Sequence, residues 1–582
     1  MIQVALPGAS LLCASMLASV LASMPAAVMA SDPVPSFRLD VMPILSHAGC
    51  STGACHGSAR GQDGFHLSLF GYDPAGDYRT ITRELAGRRV NLALPEQSLL
   101  LQKALGAVPH TGNKRMDAAD ERYATVLRWL RDGAPDDPPG VPTVVGVEVY
   151  PQDIAMEAGA TQTLGVRARY SDGTDRDVTR LATLVSNNDF SAKVGDDGVV
   201  TAAGPGEAQV LARFGGLAVG TSLIIVPKGA VAPPEEAPGG TPPNFIDRHV
   251  ADKLRRLRVP VSGLCTDPEF LRRATLDLTG LLPTPEEFDR FTADTDPAKR
   301  EKLVDALMAR KEFAEIWVMK WCERLGIRSN QEVSPKATLL YATWLQQRLA
   351  SGASIDVVAR EIIASEGGTF DTPATNFYQL ERDTLKLSEN VAQAFLGTRL
   401  QCAQCHNHPF DRWTMDDYYG LAAFFAQIGR KPGEDPRETI VFNSGGGDVK
   451  HPVGGRVVAP KFLGGAPAPS GRDRRALLAE WLTGADNPMF ARNVANFIWA
   501  HFFGRGIVDP VDDVRASNPA VNGALLDALA RRLVECKYDM RPLVRDLCTS
   551  RTYQRATRAV PGNERDERNF SHANVRRIRA EF

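Results

Sequence analysis

Two short stretches of the chain hold most of the residues that carry chemistry of their own. One is Leu400-Gln401-Cys402-Ala403-Gln404-Cys405-His406-Asn407-His408-Pro409-Phe410-Asp411, which contains Cys-x-x-Cys-His. Two residues between the thiols, on one helical turn, set both sulfurs along one edge of a porphyrin, where they add to its vinyl groups. The next residue, His406, then lies under the iron as an axial ligand. The other stretch, Cys50-Ser51-Thr52-Gly53-Ala54-Cys55-His56, ends the same way but has a four-residue spacer, a wider bite.

Coincidence is a poor explanation. With 9 Cys and 10 His in 582 residues, about 0.002 accidental Cys-x-x-Cys-His patterns are expected. The rival chemistry is a zinc knuckle made from Cys402, Cys405 and one or both of His406 and His408. Adjacent Cys405 and His406 strain a tetrahedral site, and His408 has to fold back to join it. A bare disulfide between Cys402 and Cys405 is the third alternative. The leading expectation is haem c, one or two per chain and covalently attached, held through Cys50, Cys55, Cys402 and Cys405 with His56 and His406 on iron.

A haem that only passes electrons needs a second axial ligand. From Ser36 to about Pro135 the pattern suits a small helical cytochrome. Phe37, Val41, Ile44 and Leu45 recur at helical spacing before Cys50, and Tyr123, Val126, Leu127 and Leu130 mark a last helix capped by Asp117. Between the later helices runs Pro109-His110-Thr111-Gly112-Asn113-Lys114-Arg115-Met116. Small cytochromes place the second ligand on such a loop, and His110 is preferred over Met116. His47 and His66 read as surface or supporting residues. For a second haem, His451 and His501 are distal candidates.

The remaining chain must position these motifs. Residues 144–227 alternate in short runs such as Val147-Glu148-Val149-Tyr150, with turns at Ser171-Asp172-Gly173-Thr174 and Asp196-Asp197-Gly198. This predicts a β-sandwich of immunoglobulin size, a spacer or a grip for polysaccharide or another cell-envelope component. Residues 228–243 form a Pro/Gly/Glu linker. Residues 244–430 read as a helical module, with N-cap and Pro signals at Asp267-Pro268, Thr284-Pro285 and Asp296-Pro297. The apolar residues Leu421, Phe424 and Phe425 offer a wall to cover a porphyrin. A Gly/Pro-rich loop spans 431–470, and a helical C-terminal module spans 471–582. The expected fold is multidomain and mainly α: a cytochrome c-like domain at 36–139, the Ig-like sandwich, and a large helical C-terminal region.

Charge and targeting narrow the function. A net charge of −2 gives no field for nucleic acid, and Gly445-Gly446-Gly447 lacks the Lys-Ser/Thr of a phosphate loop, so no nucleotide is expected. Met1–Ala30 is apolar and ends Val28-Met29-Ala30, the small-x-small rule of a signal peptide, although no Lys or Arg precedes Arg38. Export to the periplasm or cell envelope agrees with covalent haem, which bacteria attach outside the cytoplasmic membrane. In that compartment Cys265, Cys322, Cys536 and Cys548 are either disulfide partners or buried free thiols.

The chain resembles the planctomycete-type multidomain cytochrome c-like proteins, which join a cytochrome module, a bacterial Ig-like domain and two modules of unknown function. The resemblance rests on Gly49 to Tyr72, on Arg272-Arg273-Ala274-Thr275-Leu276-Asp277-Leu278-Thr279-Gly280, on Gln401 to Trp413, and on Phe502-Phe503-Gly504-Arg505-Gly506. It implies an exported haem protein serving a redox partner protein. Asn522 stands where relatives often carry His, and relatives continue beyond Phe582, so the last module is read as short or truncated. Three functions follow: an electron-transfer protein, a haem enzyme with open iron beside His406, or a non-redox envelope binding protein stapled by zinc or disulfides.

Overall fold

The computed structural model describes residues 33–229 and 243–577, apart from Ala59, Ala86, Gln331 and Glu332. The signal segment at 1–30 and most of the linker at 228–243 lie outside the described residues. The expected mainly-α class is wrong. The chain is 41% helix and 15% strand, with several small sheets, and is mixed α and β.

The N-terminal region does not form the expected cytochrome-type helical domain. Its helices are short pieces joined by long turns: Phe37–Val41 running into Met42–His47, then Pro74–Thr82, Leu99–Leu105 and Glu121–Arg131, the longest at 11 residues. Glycine-rich turns take up the chain that a cytochrome would spend on helix. Asp120, not Asp117, caps the last helix by accepting the Arg122 N–H. Phe37, Val41, Met116, Trp129 and Leu130 fill the core. The polar ends of its aromatics are tied to main-chain carbonyls, Tyr78 Oη to Ala134 and Trp129 Nε1 to Pro135, both at 3.0 Å.

Residues 144–226 form three small sheets around one apolar core. Strand Gly165–Tyr170 alternates inward and outward, placing Val166, Ala168 and Tyr170 inside. Gly206–Phe214 and Leu217–Val226 make the long central hairpin, and Ile154–Glu157 joins its outer edge in parallel. His47 fastens this region to the N-terminal one through Nδ1 and the Ala182 carbonyl, 2.9 Å apart. It is a pin between regions.

Beyond residue 243 one hydrophobic core extends from Ile246 to Phe570. Capping boxes at Asn244/Asp247, Thr266/Glu269, Thr284/Glu287 and Thr414/Asp417 start its helices, because each cap pairs two orphan amides at once. Asp296-Pro297 instead precedes a helix that begins at Lys299. This region is not wholly helical, and the expected loop at 431–470 is partly strand. Thr439–Asn443 pairs with Ile428–Pro432 and Gly367–Gly368, and Val449–Lys450 pairs with Val457–Val458. Cys265, Cys322, Cys536 and Cys548 are free thiols.

Candidate functional site

The helix Met42–His47 delivers the chain to Cys50, whose N–H donates to Leu45 O at 2.9 Å. From there the loop folds tightly upon itself. The His56 N–H donates to Cys50 O, and a Cβ on Gly57 would lie 2.0 Å from the Ser51 carbonyl, so only glycine fits there. Closure of this loop aims the His56 ring against Phe65, 4.5 Å between centroids, with Nδ1 held 3.0 Å from Phe65 O. His110 arrives from the other side, its Nδ1 held 2.9 Å from Asn113 O.

The two imidazoles are nearly parallel, 7° apart, with centroids separated by 6.3 Å. In each ring a main-chain carbonyl occupies Nδ1, which leaves Nε2 for a ligand. Metal-binding histidines are commonly braced in this way. Beside the two rings is a cavity of about 820 Å³ lined by Cys50, Cys55, His56, His110, Phe65 and Leu100. Arg88, Arg89, Lys103 and Arg115 also line it, against the single carboxylate of Asp63.

Electrostatics follow from this enclosure. Burial pushes the Cys50 thiol up to about 11, with the nearby Arg115 charge opposing. Cys55 Sγ lies 3.4 Å from Arg115 Nη2. Burial also lowers His56, which the Phe65 carbonyl resists and the facing His110 reinforces. The alternative ligand Met116 is 3% exposed and sunk in the core, and His66 is exposed.

The second motif is built differently. Cys402 and Cys405 are exposed on a 3-10 turn at Gln401–Gln404. His406 is half-buried, with Nδ1 2.8 Å from Asn407 O. His408 is buried, with Nδ1 accepting the Phe410 N–H at 3.2 Å and the Arg399 main chain beside the ring. Burial lowers it to about 4. It therefore does not fold back to complete a zinc knuckle. Among the described residues, no cluster of three or more His, Cys, Asp or Glu is arranged to hold a metal ion.

The expected wall and distal ligands are also used elsewhere. Leu421, Phe424 and Phe425 belong to the hydrophobic core. His451 is buried, with Nδ1 accepting the Val453 N–H and Nε2 3.5 Å from Asp416. His501 lies in the core with Nε2 2.6 Å from the Asp277 carbonyl, and burial lowers it to about 4. Asp411 accepts the N–H groups of Arg412 and Ala516, so it braces the loop.

Two arrangements escape sequence reasoning. Arg213 bridges the motifs: its guanidinium stacks 4.0 Å from the Phe70 ring and 5.8 Å from Phe410, and Nη2 donates to Pro409 O at 2.6 Å. Phe70 in turn donates its N–H to Ser51 O. The sole signal was a cation inside the apolar run Val210-Leu211-Ala212-Arg213-Phe214. The other is a buried polar lock. Asp277 accepts from Tyr553 Oη at 2.8 Å and from Arg576 Nη2 at 2.7 Å, while Arg576 Nη1 donates to His501 O. A Cβ on Gly504 would sit 2.3 Å from Arg576 Cδ, so that glycine makes room for the arginine.

Residues 245–430 match the family model PSCyt2, protein of unknown function (DUF1549). Residues 474–582 match PSD1, protein of unknown function (DUF1553). These are the two modules of unknown function that the resemblance implied. The second motif falls inside the first match, and the first motif precedes both. No curated protein matches the chain. The Asp277 lock joins the two matched segments, which share one core.

Proposed function

We propose that the chain carries a covalent haem c at its first motif and transfers electrons to a redox partner protein outside the cytoplasmic membrane. The observation that carries this reading is the pair of parallel imidazoles, His56 and His110, braced at Nδ1 beside a cavity that also holds Cys50 and Cys55. Covalent attachment needs the two thiols beside a cavity, not a cytochrome fold. Bound there, haem supplies one-electron redox chemistry. Cys50 and Cys55 are the attachment thiols. His56 and His110 would hold the iron, and their carbonyl partners fix the tautomer that leaves Nε2 available. The cationic lining from Arg88, Arg89, Lys103 and Arg115 complements the carboxylates of a porphyrin. Two histidines holding the iron would suit electron transfer over substrate activation. The wider resemblance to the multidomain cytochrome c-like proteins belongs to this reading, as does export.

A second reading concerns Cys402, Cys405 and His406. There the sequence pattern is retained, but His451 and His501, the expected distal ligands, are engaged elsewhere. A haem at that site would keep an open face, the arrangement of an enzyme. The stapled binding-protein reading is less well supported, because His408 is held by main chain.

The test is to express the full chain with a haem-attachment system, run a denaturing gel and stain it for haem. Stain at the mass of the chain, with a pyridine haemochrome spectrum of the c type, is expected. Colourless, iron-free protein would contradict the proposal.

A further inference from the structure

A second cavity, about 310 Å³, lies in the seam between the N-terminal and β regions. On one side stand Arg38, Ser46, Phe70 and Tyr72, and on the other Thr183 and Arg213. Both arginines are unusual for such a place. Neither guanidinium lies within ion-pair distance of a carboxylate among the described residues, and the Nε atom of each is buried without a hydrogen-bond partner. Arg213 makes one hydrogen bond, to Pro409 O, and otherwise stacks on Phe70 and Phe410. Asp73 also lines the cavity, but its carboxylate caps the helix Pro74–Thr82 by accepting the Gly76 N–H at 3.1 Å.

A cation removed from water without a counter-charge is costly. Desolvation alone lowers Arg213 to about 10, with no carboxylate opposing it. Arg213 is such a group, Arg38 borders the same space, and both are stabilised if something negative fills it. Guanidinium forks suit carboxylate and phosphate oxygens in particular. The volume is at the small end of ligand pockets, and Ser46 and Thr183 add hydroxyls to the lining.

We propose that this seam cavity is a binding site for a small organic anion bearing a carboxylate or phosphate group, held between Arg38 and Arg213. The inference does not rest on haem at the first motif, since the two cavities have separate linings. Because Arg213 also grips the loop at Pro409, the bound anion fixes the N-terminal region, the β region and the second motif to one another.

Calorimetric titration of the full chain at constant ionic strength, with inorganic phosphate in one arm and malonate in the other, tests it. One saturable site is expected for at least one probe, and the stronger arm identifies the class. Arg38→Gln, whose side chain has no ion pair to lose, should weaken binding at least tenfold, and Arg213→Gln should do the same. Absence of saturable binding in both arms, or wild-type affinity in Arg38→Gln, would overturn the proposal.

Discussion

The two Cys/His motifs invert the ranking that their sequences give them. Cys402-x-x-Cys405-His406 has the tighter spacing, yet its thiols sit exposed on a surface turn, and His408, His451 and His501 are held by main-chain and core contacts. Cys50 to His56 has the looser spacing, yet it borders an 820 Å³ cavity with a second imidazole facing the first. Spacing between cysteines encodes only how sulfur meets a porphyrin edge. The cavity and the opposing ligand come from residues far along the chain, and these decide what a site can do.

The largest expected effect separates the motifs directly. Replacing Cys50 and Cys55 by Ala should abolish covalent haem at the first site, whereas replacing Cys402 and Cys405 should leave that haem in place. Haem per chain, measured as pyridine haemochrome, reads both; equal content in the two double variants would erase the distinction drawn here.

A second contrast concerns stability. Asp277 is buried, its partner Arg576 is partly exposed, and three further hydrogen-bonding contacts surround them, so Arg576→Ala leaves a buried carboxylate without its cation. A loss of about 3 kcal/mol is expected, read as a lower urea midpoint for the region beyond residue 243. Wild-type stability would mean that the lock is decorative.

The smallest effect is on pH, and its sign differs between regions. Burial raises Asp77 in the N-terminal region from 3.8 to about 7, against hydrogen bonds from Ser68. Its folded form holds a proton that the unfolded chain releases, so its contribution is full below 3.8 and is lost as pH rises through about 7. His408 and His501 are lowered from 6.5 to about 4, chiefly by burial. Their contributions are full above 6.5 and are lost as pH falls through about 4. Asp77→Asn should remove a fall in stability as pH rises from about 4 to about 7, and His501→Gln a fall as pH drops from 6.5 to about 4. Denaturation at several pH values checks both, and unchanged profiles would count against this assignment.

Much of the local architecture was legible. Thr284 and Glu287 announce a capping box and form one, and the β region starts and ends within a residue or two of where alternation begins and fades. The class was misjudged for two physical reasons. Short strands such as Val449–Lys450 and Gly367–Gly368 are too brief to show a period. In the N-terminal region, apolar residues at helical spacing were separated by turns that burial, not periodicity, organises. At the site, Cys50, Cys55, His56 and His110 could be named because each has a distinctive type. Arg213 and Arg576 could not, since an arginine's role depends on which distant surface closes over it.

The most direct measurement is the visible spectrum of reduced protein, wild type against His110→Ala, with and without carbon monoxide. Paired imidazoles predict a low-spin wild-type spectrum that carbon monoxide leaves unchanged, and a high-spin, carbon monoxide-binding spectrum once His110 is removed. A wild-type haem that is already open, or a spectrum indifferent to loss of His110, would contradict the account.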